Sequence, residues 1–158
     1  MNPRVQAILN FWFEETPPEK RFKKDESFDL LIRNKFLNDY EKASNDELND
    51  WKLNAKSSLA LVILFDQFSR NIFRNDKKAF SQDFKTREIV YNAIDSGFLD
   101  EMSQSEKFFM ILPLIHSEEI KDHEIAYSLL DKHLRDHPGL KDIKKFWEDH
   151  TVAIKKFK

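Results

Sequence analysis

The chain has 158 residues, a usual length for one domain, with 34% charged and 41% apolar residues, 2 glycines and no cysteine. That balance suits long amphipathic helices. It excludes disulfide frameworks, thiolate metal sites and cysteine nucleophiles, and argues against Rossmann, P-loop or hairpin-rich β folds, which need glycine for positive φ or close phosphate approach. Lys and Arg number 26 against 28 Asp and Glu, a net charge of −2 with the signs interspersed, so neither a nucleic-acid footprint nor an anionic-membrane surface is expected.

The predicted elements are helices throughout. Pro3 to Glu15 forms the first, with Val5, Ile8, Leu9 and Trp12 on one face, and Thr16-Pro17-Pro18 ends it. Asp25 or Ser27 opens the second, whose stripe is Phe28, Leu31, Ile32, Phe36 and Tyr40. Ala43 to Asp46 is turn chemistry, and Trp51 plugs the connection onto the core. The third helix, near Ser57 to Phe73, is apolar all round from Leu59 to Phe65, the mark of a central, buried helix. That run is far shorter than the roughly 20 residues a membrane span needs. A fourth helix, Lys78 to Asp95, carries Phe80, Phe84, Tyr91 and Ile94, with Gly97 as its cap. The fifth starts at Ser103, with Glu106 completing a capping box, and Pro113 kinks or stops it. The sixth covers Glu118 to Arg135. The seventh starts near Pro138 and puts Ile143, Phe146, Trp147, His150, Ile154 and Phe157 on one face.

About seven helices with short links and no strand predict an all-α fold of antiparallel helical hairpins, one domain over residues 1–158. No strict 34-residue repeat is present. The N-terminus lacks a basic segment ahead of a long apolar one, so it does not read as a signal peptide. The lack of cysteine fits a cytoplasmic protein.

Three places carry possible chemistry. Asp66-Gln67-Phe68-Ser69-Arg70-Asn71-Ile72-Phe73-Arg74 continues the buried apolar run. Asp66, Arg70 and Arg74 are spaced i, i+4, i+8 on one helix face, with Gln67 and Asn71 on the neighbouring strip. A buried carboxylate demands a partner, and arginine supplies a bidentate one. The segment is therefore either an internal ion pair or a guanidinium fork facing a cleft, where it binds a carboxylate or phosphate. The second place is His116-Ser117-Glu118-Glu119. A histidine beside carboxylates suits a general acid or base. His116, Glu119 and His123, at i, i+3, i+7, are plausible metal ligands, but the spacing matches no established motif. The plain alternative is a helix start capped by Ser117. The third place is His150, on an apolar face with Trp147 and Ile154. His133 and His137 read as exposed, and the terminal lysines as a solvated face. No phosphate loop, GxSxG elbow, HExxH or EF-hand sequence occurs, and no cofactor is implied.

Taken together, the motifs resemble one family almost end to end. Ile8-Leu9-Asn10-Phe11-Trp12-Phe13 is similar to its ILxFWF, Phe28 to Ile32 to its FDxxI, and Leu48 to Trp51 to its LxxW. Leu59 to Arg74 resembles LALxxLLDQFPRNxFR, Ala79-Phe80 with Asp83 resembles AFxxD, and Pro113 to Glu118 resembles PLxHSE. His150 to Phe157 resembles the start of HxxxIxxFGRFPHRN. The family is DUF924, bacterial helical proteins of unknown function with a tetratricopeptide-like fold. Ser69 stands where the family usually has proline, so the helix is expected to continue there. His123 stands where the family has glutamine. The resemblance implies a polar cluster of Asp66, Gln67, Arg70, Asn71, Arg74, His116, Glu118 and His150, with the family's further Arg, His, Arg and Asn falling past Lys158.

Two functions follow as expectations. One is a pocket for a small anionic ligand, held by Asp66, Gln67, Arg70, Asn71 and Arg74, with His116, Glu118 and His150 as catalytic groups. The other is a scaffold that holds a peptide, its polar network purely structural. Residue pattern leaves the oligomeric state open.

Overall fold

The computed structural model describes residues 2–157. Among them are seven helical rods and no strand, an all-α fold. Two compact units divide the chain in sequence between Ile89 and Val90.

In the first unit, α1 (Pro3–Leu9) starts where Asn2 Oδ1 accepts from the Arg4 amide at 2.7 Å. It runs on through one π turn, Asn10–Glu15. Buried Thr16 then leaves helical geometry and donates to the Phe11 carbonyl at 2.6 Å. Helix α2 (Glu26–Ser44) is capped by Asp25, whose carboxylate accepts from the Phe28 amide. Asp46 leaves the helix end in the left-handed region, φ 62°, which short polar side chains tolerate. Trp51 is buried in the 3-10 turn Asn49–Leu53. Then α3 (Ala55–Val62), a π turn (Ile63–Phe68) and α4 (Ser69–Ile72) form one unbroken rod. The helix passes Ser69 without a break, and its buried hydroxyl donates back to the Phe65 carbonyl. Leu59 to Phe65 are all at most 2% exposed, as expected of a central helix. α1 packs on α3, and α2 lies along the π turn and α4. Aromatic rings fill this core. Phe36 stacks on Phe68 at 4.8 Å, Phe11 meets Phe36 edge-on at 5.2 Å, and Trp12 meets Phe68.

In the second unit, α6 (Gln104–Ile115) begins with the full capping box between Ser103 and Glu106. It packs on α7 (Ile120–His133), and both pack on α8 (Leu140–Phe157). Ile111, Leu112, Ala126, Leu130 and Trp147 are buried there, and Trp147 stacks on Phe108. Consecutive packing of helices joined by short links is compatible with a tetratricopeptide-like arrangement. Helix α5 (Asp83–Asp95) spans the sequence boundary between the units, and Gly97 caps its far end at φ 75°.

Several expectations need correction. The predicted fourth helix is interrupted: a 3-10 turn, Lys77–Phe80, precedes α5. Phe80 and Phe84 are therefore exposed rather than core, and Leu31 also faces solvent. Pro113 does not stop α6, which continues to Ile115. α7 starts at Ile120 with Glu119 at its cap position, so Ser117 lies two residues before the cap instead of at it. α8 starts at Leu140, and Phe146 on its supposed apolar face is exposed. His133 and His137 are half-buried, not exposed. The side chain of Phe157 lies outside the described residues.

Candidate functional site: a cationic cleft

The first unit holds the candidate residues of the Asp66 to Arg74 segment. Asp66 is 1% exposed. Its Oδ2 accepts from Gln67 Nε2 at 2.7 Å and its Oδ1 from Arg70 Nη1 at 3.1 Å. Arg70 also donates to the Asp66 carbonyl. This is the expected i, i+4 pair, made inside one helix.

Arg74 does not join it. The helix ends at Ile72, so Arg74 leaves the Asp66–Arg70 line. Its fork instead closes on Asp29 of α2, Nε to Oδ2 at 2.5 Å and Nη2 to Oδ1 at 2.9 Å. Asn71 Nδ2 donates to the same carboxylate at 2.9 Å. Hydrogen bonding to Asp29 raises the Arg74 pKa further above its usual value, so the fork stays charged. Arg33 of α2 donates to the Ile72 carbonyl at the helix end. Asp29 was thus the missing partner. Its signal was a lone acid beside Phe28 on a stripe otherwise read only for its apolar residues.

The turn that follows shapes a cleft. Asn75 sits in the left-handed region at φ 66°, and Asp76 caps the 3-10 turn by accepting from the Lys78 amide at 2.9 Å. This turn swings Lys77, Ala79 and Phe80 round to face Arg70 and Arg74. With Lys24 they line an open cleft of about 470 Å³. Four cations and one carboxylate, Asp76, line it. The Arg70 guanidinium lies over the exposed Phe80 ring, 5.2 Å from its centre. Lys24, Lys77 and Phe80 were not among the residues expected at a site. An exposed phenylalanine is invisible to a pattern that counts it as core.

The second unit holds the histidines. His116 ends α6, its amide bonding the Leu112 carbonyl, and its ring centre is 6.3 Å from that of His150. His150 Nδ1 lies 3.0 Å from the Phe146 carbonyl. A carbonyl only accepts, so Nδ1 carries the proton and Nε2 of neutral His150 is a base. Glu118 is exposed. The proposed i, i+3, i+7 set fails, because the chain breaks helix between His116 and Ile120. His123 is fully buried, with Nε2 at 2.8 Å from the Ser117 carbonyl and Nδ1 at 2.7 Å from Thr151 Oγ1. Both its nitrogens are occupied. Ser117 caps nothing as N-cap, but its hydroxyl donates to buried Asp122 at 2.6 Å and accepts from the Glu119 amide. Tyr91 donates to the other Asp122 oxygen. No group of three metal-ligating side chains gathers among the described residues.

An all-α protein with arginine forks clamped beside a cationic cleft is the class defined by these observations. By sequence, the chain belongs to the DUF924 family, described as bacterial protein of unknown function, whose model matches residues 8–158. It is similar in structure to a protein of unknown function, ATU0120, from Agrobacterium tumefaciens. The two are 30% identical, with a TM-score of 0.85 over 98% of this chain and 84% of that one. Comparison with curated proteins finds no match. No helix among the described residues is long and apolar enough to cross a membrane.

Proposed function

We propose that this protein binds a small anionic ligand through Arg70 and Arg74, with Asp66, Gln67 and Asn71 holding the forks in place. The observation that carries this reading is the cleft of about 470 Å³ with four cations on its lining. That volume lies within the roughly 300–1,000 Å³ of small-molecule sites. Buried Asp66 behind Arg70 and half-buried Asp29 behind Arg74 set the direction of the guanidinium groups, so the cost of orienting them is met before a ligand arrives. Lys24 and Lys77 add charge at low structural cost, since both are exposed. A cytoplasmic location is part of the same reading.

For the second unit, taken by itself, we propose a catalytic role for His116, Glu118 and His150. Support for it comes from the 6.3 Å approach of the two imidazoles and the base-bearing Nε2 of His150. A second reading, the peptide-holding scaffold, draws on Leu30 and Leu31, which stand exposed side by side on α2.

The test is a thermal-shift screen of simple anions against wild type and the double variant Lys24→Ala/Lys77→Ala. An anion that raises the wild-type midpoint, with the shift lost in the variant, is the expected result. An equal shift in both proteins would remove the cleft from the account.

A further inference from the structure

Within the anion-binding reading, the structure points to a more definite ligand. We infer that the cleft takes a phosphate monoester whose organic part carries a flat ring, as a nucleoside monophosphate does. Volume is the first argument. A bare oxyanion takes up only part of about 470 Å³, which leaves room for an organic group beside the charge. Charge is the second. Four cations face the space with Asp76, but Asp66 and Asp29 sit behind Arg70 and Arg74. Counting all three carboxylates still leaves a positive surplus, which suits a small anionic group such as one phosphate and gives little to balance the larger charge of a polyphosphate. The third argument is Phe80. It is 54% exposed at the lip of a cationic site, next to the guanidinium of Arg70. Arg70 covers one face of the ring, and the exposure of Phe80 leaves the rest open, a surface on which a flat ring stacks. The charged end then meets Arg74, Lys24 and Lys77, while the ring lies against Phe80.

Calorimetric titration of the full chain tests this, with adenosine monophosphate, inorganic phosphate and adenosine as probes. The monophosphate is expected to bind about tenfold more tightly than phosphate, and more tightly than adenosine. Phe80→Leu removes the stacking face but keeps the bulk, and should bring the monophosphate down to the phosphate level. Phe80→Trp should restore the gain. Circular dichroism of both variants checks folding, which the exposure of Phe80 favours. Equal affinity for phosphate and the monophosphate, or a gain untouched by Phe80→Leu, would overturn the ring inference and leave the anion-binding reading standing. Failure of both phosphate and the monophosphate to bind would bring down both.

Discussion

Asp29 shows how much one carboxylate organises. It takes two bonds from the Arg74 fork and one from Asn71, and so ties α2 to the end of the central rod. Asp29→Ala strips three charge-assisted bonds from buried Asn71 and half-buried Arg74. Bonds to charged groups contribute about 1.5–3 kcal/mol each to net stability. Because the pair is partly wet, a loss of roughly 2 kcal/mol is expected in urea denaturation, with any ligand response weakened alongside. Asp66→Ala should cost more, up to about 3 kcal/mol, because it removes a fully buried carboxylate from buried Gln67 and half-buried Arg70. Losses that no anion offsets would mark the network as purely structural.

The half-buried histidines set a pH response. Burial lowers the pKa of His133 and of His137 below the ordinary 6.5, with Lys107 adding to the effect at His133. His137 Nδ1 also accepts from the Gly139 amide at 2.9 Å, which requires the unprotonated ring. The unfolded chain therefore takes up protons first as the pH falls. The stability these residues contribute is complete above pH 6.5 and is lost as the pH drops through their lower folded values. The urea midpoint should fall between pH 7.5 and 5.5. His137→Asn, which keeps an acceptor for Gly139, should flatten that dependence.

At the level of elements, ends are decided by single residues. Gly97 caps α5 at φ 75°, with nothing within 4 Å of where a Cβ would stand. Gly97→Ala therefore meets no clash and carries only the backbone penalty, about 1 kcal/mol, readable as a lower thermal midpoint. The capping box at Ser103 and the Asp25 cap followed from local patterns, because side chain and amide lie within three residues of each other. The interruption before α5 did not. Lys78 to Phe80 reads as the start of a helix running to Asp95, yet Asn75 in the left-handed region and the Asp76 cap start a separate 3-10 turn, Lys77–Phe80. The same turn removes Phe80 from the core and makes it a wall of the cleft. Likewise the break between α6 and α7 takes His116 out of line with Glu119 and His123. Spacing arguments hold only while one helix persists.

At the scale of the molecule, each unit has its own core. The first is aromatic, centred on Phe68, which touches Phe11, Trp12 and Phe36. Phe68→Ala should cost about 3–5 kcal/mol. In a Trp147→Phe background the remaining tryptophans, Trp12 and Trp51, both report on the first unit, so their fluorescence in urea measures this loss there. The sequence alone determined the helical class, the central rod and most helix starts. Those depend on period, apolar density and neighbours within a turn, all of which are written along the chain. It also marked Asp66, Gln67, Arg70, Asn71 and Arg74 as residues in need of partners. The Asp66–Arg70 and Asp66–Gln67 pairs are local and follow from spacing within one helix, but the partner of Arg74 and Asn71 was decided only by tertiary structure. Asp29 lies 45 residues from Arg74, and Lys24 reaches the cleft from before α2. Charge complementarity says that a carboxylate taken out of water must be matched; within one helix the spacing names the cation, as for Asp66 and Arg70, but between helices only packing does, as for Asp29 and Arg74, and the same packing leaves Phe80 outside.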